Sequence, residues 1–264
     1  MSDTVASALT IAGSDSGGGA GIQADLKAMT SAGVHCCTVI TALTAQNTVG
    51  VEGIKTVAPN FIGRQIEAVV DDIRPAATKT GMLFNTEIIK MVASYVDRLG
   101  RVVVDPVMVA ESGDSLLAAE AEKALARYLL PEVDLVTPNY PEAQRIGKAL
   151  QLPDYDNPRE LAQAIACRLG RPDVLLKGGH LDEKEANDYL FDSEGEVEIF
   201  SSPRLKTDNT HGTGCAYSAL ITAWLAREES ISSAVGEAKK RLAVALENGY
   251  KPGGGAGTLN FLGD

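Results

Sequence analysis

Short apolar runs rich in β-branched residues alternate with runs of helical spacing along this chain, and the alternation limits the folds open to it. A strand, a helix and a further strand usually place the two strands parallel in one sheet, joined by a right-handed crossover. We therefore predict a mostly parallel sheet with helices on both faces. The predicted strands are 8–12, 34–41, 76–80, 101–106, 133–137 and 174–180, and the predicted helices are 22–29, 59–70, 86–99, 116–130, 158–169, 213–227 and 232–248.

Local signals refine this outline. Segment 42–48 is interpreted as the connection at the carboxyl end of a strand, and segment 49–57 alternates weakly, which suggests a small flap. The runs 187–191 and 197–201 flank a polar, glycine-containing stretch and predict a hairpin. The glycine-rich tail, 251–263, is expected to be irregular.

Composition bounds the class of protein. Of the 264 residues, 45% are hydrophobic and 22% are charged, as in ordinary globular proteins, and no low-complexity linker divides residues 1–264, so we predict one domain. The net charge of −11 argues against a nucleic-acid partner, which would need a basic face. The four cysteines have no zinc-site spacing. Without a leader-like N-terminus or a membrane-length apolar run, we expect a cytoplasmic protein with no membrane partner.

A glycine-bracketed turn, residues 211–215, stands directly before an apolar helical run, and we call it the anion-hole turn. The first N–H groups of a helix lack partners within it, and the helix dipole adds positive potential, so such a turn suits an anion, most often phosphate. Cys215 lies in the same field, which favours its thiolate. The turn is therefore a candidate phosphate site with a candidate base. The alternative is a tight turn that packs a helix on the sheet, with Cys215 a small buried residue.

A second glycine-rich stretch, residues 13–21, joins a predicted strand to a predicted helix, and we call it the glycine loop. It matches neither G-x-G-x-x-G nor the P-loop, whose lysine it lacks. We interpret it as backbone that approaches a ligand closely, and expect residues 17–21 to have room for a phosphate carried by the substrate. The alternative is a flexible loop without a ligand.

Polar side chains follow several predicted strands. Ligands of open α/β sheets bind beyond the carboxyl ends of the strands, which makes Gln46, Asp105 and Lys177 candidate ligand contacts. Asn139 and Glu142 straddle a helix start. Each residue also has an ordinary structural alternative. Gln46 would be a loop amide, Asp105 a turn-capping aspartate and Lys177 a solvated strand end. Asn139 and Glu142 would be a helix cap and a first-turn carboxylate. We expect these residues to converge along one edge of the sheet.

Taken together, the motifs resemble those of the hydroxymethylpyrimidine/phosphomethylpyrimidine kinase family of the ribokinase-like superfamily. The resemblance spans nearly the whole chain, and its specificity comes from the combination of motifs. The segments that carry it are 12–15, 17–25, 41–48, 105–108, 137–139 with Glu142, 177–180 and 211–215.

The resemblance implies a three-layer α/β/α fold, a homodimer, and two successive ATP-dependent phosphorylations that use Mg²⁺. The first acts on the hydroxymethyl group of 4-amino-5-hydroxymethyl-2-methylpyrimidine. The second acts on the resulting monophosphate and gives the diphosphate for thiamine biosynthesis.

The resemblance also implies roles for individual residues. Gln46 would recognise the pyrimidine, because an amide offers donors and an acceptor to an aminopyrimidine edge. Asp105 and Glu142 would place Mg²⁺, partly through water. Cys215 takes the position of the catalytic base, where the wider superfamily usually has Asp. The remaining implied residues are Gly13, Asp25, Thr44 and Met82 around the pyrimidine, Asn139, Lys177 and Thr213 at the nucleotide, and Gly212 and Gly214 around the anion hole.

Two other functions are left open by the sequence. Pyridoxine or pyridoxal kinase activity occurs in the same family. The ring pocket around Gln46 and Met82 is the feature that would discriminate between the acceptors, and the sequence does not resolve its shape. A non-catalytic ligand-binding module of the same fold is the second alternative, against which the complete set of expected site residues argues.

Overall fold

The computed structural model describes residues 5–108, 117, 119–180 and 184–262, and this part of the chain contains ten strands and eight α-helices. The strands are β1 (Ser7–Ala12), β2 (His35–Ile40), β3 (Ala42–Gln46), β4 (Val51–Thr56), β5 (Ala77–Thr80), β6 (Arg101–Val104), β7 (Leu135–Val136), β8 (Asp173–Leu176), β9 (Asp188–Phe191) and β10 (Glu196–Phe200). The helices are α1 (Gly21–Ser31), α2 (Pro59–Asp72), α3 (Thr86–Ala93), α4 (Ala119–Ala124), α5 (Tyr140–Ala149), α6 (Pro158–Leu169), α7 (Thr213–Ala226) and α8 (Ile231–Glu247).

Eight of these strands form one sheet in the order β10–β9–β8–β7–β6–β5–β1–β2. The neighbours from β8 to β2 pair parallel, whereas β9 and β10 pair antiparallel at one edge. The predicted mostly parallel sheet is therefore confirmed. The strands β3 and β4 form a separate two-stranded antiparallel sheet.

Helices cover both faces of the large sheet. Successive strand residues point to opposite faces, so Val102 and Val104 pack into one apolar cluster and Val103 into the other. The first cluster contains residues of α2 to α6, and the second contains residues of α1, α7 and α8. This is the three-layer α/β/α arrangement that the resemblance implied.

The boundaries of α6 show how local signals define a helix. The side-chain oxygen of Asn157 accepts a hydrogen bond from the N–H of Arg159, and Pro158 occupies the first turn, where its missing N–H has no consequence. The helix ends at Gly170, whose φ of +77° is left-handed. Both ends are where the sequence predicts them.

The predicted connection at 42–48 is instead largely strand. Ala42 pairs with Thr56 and Gln46 with Val51, so the expected flap is β4 and its partner is β3. Since the pairing joins two weakly patterned segments, it is a tertiary effect and neither segment predicts it alone.

Two predicted helices are shorter or less regular than expected. Helix α3 ends at Ala93 instead of residue 99: Ser94 Oγ donates to the carbonyl oxygen of Met91 at 2.7 Å, a local bond that competes with the helical pattern, and a 3-10 turn follows. The predicted helix 116–130 begins partly outside the described residues. Helix α4 continues as a π-helical turn over Leu125–Leu129, and Pro131 lies in the short 3-10 turn that ends it.

The two edges of the large sheet are β10 and β2. On β10, Glu196 and Glu198 alternate with exposed apolar side chains. On β2, the Gln65 amide accepts from the N–H of Ile40 at 3.0 Å and donates to its carbonyl oxygen at 3.2 Å. Part of the β2 edge is thereby covered by a side chain.

Gly100, directly before β6, has a left-handed backbone conformation that a substitution can test. Its φ is +67°, and an added Cβ would overlap the carbonyl oxygen of Ala76. We expect Gly100→Ala to lower the free energy of unfolding by about 1–2 kcal/mol for the left-handed backbone and by a further ~1–3 kcal/mol for overpacking. Gly170→Ala is the matched control, because φ is similar and the space is open, so only the backbone strain applies. Urea unfolding measures both, and equal losses would contradict the steric part.

Candidate active site

Helix α7 begins within the anion-hole turn. Its N-cap, Gly212, has a φ of +80°, and an added Cβ would overlap the carbonyl oxygen of Gly19, so only glycine fits. The N–H of Thr213 bonds back to the preceding turn at 3.0 Å. Within the described part of the chain, the N–H groups of Gly214 and Cys215 have no acceptor. Two unpaired donors at a helix N-terminus can bind an anion.

Lys177, directly after β8, pairs with two carboxylates beside this turn. Its Nζ lies 2.8 Å from Asp105 Oδ1, after β6, and 3.6 Å from Glu142 Oε2, in the first turn of α5. Asn139 and Glu142 form a capping box in which each backbone N–H lies 2.8 Å from the other's side-chain oxygen. A Cβ added at Gly214 would lie 3.6 Å from Lys177 Nζ and 3.8 Å from Asp105 Oδ2. The expected convergence is therefore observed for this part of the residue set.

Burial and neighbouring charges determine the protonation of the cluster. Burial would raise the pKa of Asp105, but Lys177 and Lys79 outweigh it and hold that pKa below its usual range. Burial raises the pKa of Glu142 to about 7, against the attraction of Lys177 and with added repulsion from Asp105. Burial also opposes the charge of Lys177, but the two carboxylates keep its pKa above the usual range. The cluster thus combines a lasting Asp105–Lys177 pair with a glutamate that titrates near neutral pH.

Asp25, expected at the pyrimidine, lies in a fully buried ion pair. Both of its carboxylate oxygens contact Lys79 Nζ, at 2.8 and 2.9 Å, and Thr10 Oγ1 donates to it at 2.6 Å. Burial opposes the ammonium, but Asp25 raises the pKa of Lys79. A direct role for Asp25 at the ring stays a prediction. Lys79 is absent from the sequence-predicted set because a lysine within an apolar strand gives no sign that it is buried.

The other residues expected at the pyrimidine surround the glycine loop. A Cβ added at Gly13 would overlap Met82 Cε, so these two residues are in contact. Thr44 Oγ1 donates to the carbonyl oxygen of Ser14 at 2.8 Å. Ser16 Oγ donates to the carbonyl oxygen of Gln46 at 2.6 Å and accepts from its N–H at 2.8 Å. The structure therefore joins β3, which carries Gln46, to the loop.

The structure argues against the expected phosphate position at residues 17–21, because the backbone donors there are already occupied. The Asp15 carboxylate already accepts from the N–H groups of Gly17, Gly19 and Ala20 and contacts the His211 ring. Both Asp15 and His211 stand in the motifs that carry the resemblance, but their pairing across 196 positions has no local sequence signal.

The expectation that the helix start favours the Cys215 thiolate is also wrong. Burial raises the pKa of Cys215 to about 11; Lys79 lowers it, but Asp25 and Asp105 raise it further. The N–H of Gly21 gives the thiolate a smaller stabilisation. Desolvation thus outweighs the helix dipole, and the residue is a thiol at neutral pH.

Features elsewhere contribute little to this site. An open cavity of about 830 Å³ lies beside α6 and β10, and none of the expected site residues lines it. No three His, Cys, Asp or Glu side chains among the described residues form a group that could hold a metal ion. Among the described helices, none combines the length and apolar character needed to cross a bilayer.

Comparison with known proteins gives a consistent result. The sequence profile of the phosphomethylpyrimidine kinase family matches residues 15–260. The hydroxymethylpyrimidine/phosphomethylpyrimidine kinase of Salmonella typhimurium is 47% identical over 243 residues, which cover 90% of each chain. The thiamine biosynthesis bifunctional protein ThiED of Geobacter sulfurreducens is 46% identical over 258 residues, 97% of this chain, which spans 52% of that protein. The structure of an ADP complex of Bacillus subtilis pyridoxal kinase is similar, with a TM-score of 0.88, 33% identity and 98% coverage of both chains.

The raised pKa of Cys215 predicts how its thiol reacts. Because the pKa of Cys215 is about 11, the thiol dominates at pH values below it. The thiolate is the nucleophile, so the alkylation rate with iodoacetamide should rise about tenfold per pH unit between pH 7 and 10. Peptide mass spectrometry measures the rate at Cys215, with the exposed Cys167 as an internal comparison. A rate that levels off below pH 9 would contradict the raised pKa.

Proposed function

The chain belongs to the phosphomethylpyrimidine kinase family, and from that premise we propose that it transfers the γ-phosphoryl group of ATP in two successive reactions. The first acceptor is the hydroxymethyl group of 4-amino-5-hydroxymethyl-2-methylpyrimidine. The second is the phosphate of the monophosphate so formed, which gives the diphosphate used in thiamine biosynthesis.

The observation that carries this proposal is the surroundings of the α7 N-terminus. The N–H groups of Gly214 and Cys215, which have no acceptor among the residues that the structure describes, adjoin Lys177 and Asp105. The donors and the cation that a transferred phosphoryl group needs therefore lie together. Phosphoryl transfer depends mainly on positioning and charge stabilisation. We assign Gly212 to shaping this hole, and Asn139, Lys177 and Thr213 to the nucleotide. The ADP in the Bacillus subtilis neighbour supports an adenine nucleotide.

Asp105 and Glu142 suit Mg²⁺ that arrives with the nucleotide. Both carboxylates are close enough to share Lys177, but they are too few to bind a metal ion alone. Mg²⁺ commonly takes one or two carboxylates and completes its shell with phosphate oxygens and water. When bound, the ion would neutralise charge on the phosphates.

The pyrimidine side is assigned to the glycine loop and its neighbours. Gln46 would pair with the ring edge, and Gly13 and Met82, which touch each other, would border the ring. Thr44 supports the loop through Ser14. Asp25 is fully buried, so we assign it to the floor of the pyrimidine pocket.

Pyridoxal phosphorylation is the second candidate activity. The TM-score of 0.88 to a pyridoxal kinase favours it, whereas the 47% identity to a pyrimidine kinase favours the first activity. The two acceptors are both hydroxymethyl-bearing heteroaromatic rings, so the same phosphoryl site would serve either.

Three properties that the sequence suggests are carried forward as part of the proposal: one domain over 1–264, a cytoplasmic location and a homodimer. Two exposed apolar side chains, Leu43 on β3 and Val49 in the connection to β4, support the homodimer. Light scattering of the purified protein measures it.

The two-step activity predicts two products. Incubation with ATP, Mg²⁺ and the hydroxymethylpyrimidine should give the monophosphate and then the diphosphate, identified by mass. Parallel reactions with the monophosphate, pyridoxine and pyridoxal rank the acceptors. Monophosphate as the sole product, or turnover of the pyridine acceptors alone, would remove the two-step proposal.

Gln46→Ala tests recognition of the ring. Loss of the amide leaves ligand polar groups unmatched, which costs about 1–3 kcal/mol, so kcat/KM for the pyrimidine should fall by about 5- to 150-fold with little change for ATP. Gln163→Ala, on α6, is the matched amide control and should leave kcat/KM unchanged. An unchanged kcat/KM in Gln46→Ala would end this assignment.

Cys215 is proposed as the base that takes the acceptor's proton. Its pKa of about 11 means that the thiolate fraction grows through the alkaline range, so wild-type kcat should rise between pH 7 and 9.5. Cys215→Ala should lower kcat by about 10²- to 10⁴-fold and abolish that rise. Cys215→Asp should restore part of the rate, because it supplies a proton acceptor.

A different result would assign Cys215 to packing against the ring. In that case Cys215→Ala keeps a near-native kcat and mainly raises KM for the pyrimidine. The base would then be sought in a water molecule held by Asp105.

A further inference from the structure

We propose that Asp15 is a positioning residue for this reaction, because its carboxylate fastens the glycine loop to the anion-hole turn. The inference rests on the proposed function. Asp15 lies outside the residues assigned to the nucleotide, the metal ion and the pyrimidine.

The carboxylate has four hydrogen-bond partners. Oδ1 accepts from the N–H of Gly17 at 2.7 Å, and Oδ2 accepts from Gly19 at 3.0 Å and Ala20 at 2.8 Å. Oδ2 also lies 3.1 Å from His211 Nε2. An ionised carboxylate only accepts, so Nε2 carries the proton in this contact. The Asp15 side chain is 2% exposed, and three backbone donors and a ring hold it in one position.

Close packing accompanies these bonds. An added Cβ at Gly19 would overlap the His211 ring, and one at Gly212 would overlap the carbonyl oxygen of Gly19. Thr258 Oγ1 reaches carbonyl oxygens on both sides, at 3.5 Å from Gly19 and 3.4 Å from His211. The glycine loop and the anion-hole turn are therefore in direct contact, with no space for a side chain between them.

The other side of the loop is attached to β3. Ser16 exchanges two hydrogen bonds with the backbone of Gln46, and Ser14 accepts from Thr44 and donates to the carbonyl oxygen of Ala42 at 2.8 Å. The loop thus connects the residue assigned to the ring with the turn assigned to the phosphoryl group. Asp15 is the charged contact in that connection.

This connection has two consequences for phosphoryl transfer. It fixes the distance between the acceptor and the phosphoryl group, and a displacement of about 1 Å can lower a rate by about 10²-fold. It also fills a set of backbone donors that would otherwise bind an anion. A phosphate at the loop would meet the negative Asp15, whereas the N–H groups of Gly214 and Cys215, which have no acceptor among the described residues, can receive it.

Kinetics of substituted proteins test the role. Asp15→Ala should lower kcat for both phosphorylations by about 10- to 100-fold, while KM for the pyrimidine changes less than about threefold, because Ser16 and Thr44 still hold β3. His211→Gln keeps a donor and should retain more of kcat than His211→Leu. The double variant Asp15→Ala/His211→Leu should lose little beyond Asp15→Ala, as expected for two partners in one contact.

Asp192→Ala is the matched control. Its carboxylate also accepts from turn N–H groups, of Glu194 at 2.7 Å and Gly195 at 2.9 Å, but between β9 and β10. It should keep wild-type kcat, which separates the Asp15 effect from the general loss of a turn.

Hydrogen exchange provides a readout that does not depend on turnover. In Asp15→Ala, exchange should rise both at residues 17–20 and at the anion-hole turn, with the strand amides of β1 and β6 unchanged. Three results for Asp15→Ala would each overturn the inference: a kcat close to that of the wild type, an effect that appears only as a raised KM, or faster exchange in the glycine loop alone. If the wild-type protein phosphorylated neither the pyrimidine nor pyridoxal, the proposed function would fail, and the exchange result would still decide whether Asp15 joins the two segments.

Discussion

The ion pairs of Lys177 are the contacts on which the rest of the site depends. They bring together the residues after β6 and β8 and the first turn of α5, segments that are far apart in the sequence. Ionised groups lose several kcal/mol of hydration when they leave water. Lys177 outweighs that loss at Asp105, whose pKa stays low, and offsets only part of it at Glu142, whose pKa is raised. The parallel sheet makes the meeting possible, because it places the carboxyl ends of its strands at one edge.

Local chemistry explains which parts of the fold are predictable from the sequence. The ends of α6 follow from Asn157, Pro158 and Gly170, which act on their own backbone. The strand β3 is not predictable, since its residues adopt that form by pairing with β4. At the early end of α3 the local sequence signal is one serine that bonds back to Met91, and this signal is too weak to outweigh an apolar stripe that continues beyond it.

The same distinction applies to the site. Asp105 and Lys177 can be identified from the sequence because each follows a strand. The carboxyl ends of parallel strands lie at one edge of the sheet, so this placement is enough to bring the two side chains together. Lys79 and Asp15 escape prediction because their importance lies in partners that are distant in the chain. Cys215 is found, but its protonation is predicted wrongly: a helix start can be read from sequence, whereas desolvation depends on everything packed around the sulfur.

The edge strand β10 bears on how copies of this protein behave at high concentration. Its outer side has no neighbouring strand in the described part of the chain, and it carries two exposed apolar residues, Val197 and Ile199, which would favour pairing with another sheet. Glu196 and Glu198 alternate with them. Glu196 pairs with Arg159 of α6 at 2.6 Å, so Glu198 is the carboxylate that would repel its counterpart on a second such edge. With a net charge of −11 on each chain, this repulsion disfavours edge-to-edge pairing of two copies through β10.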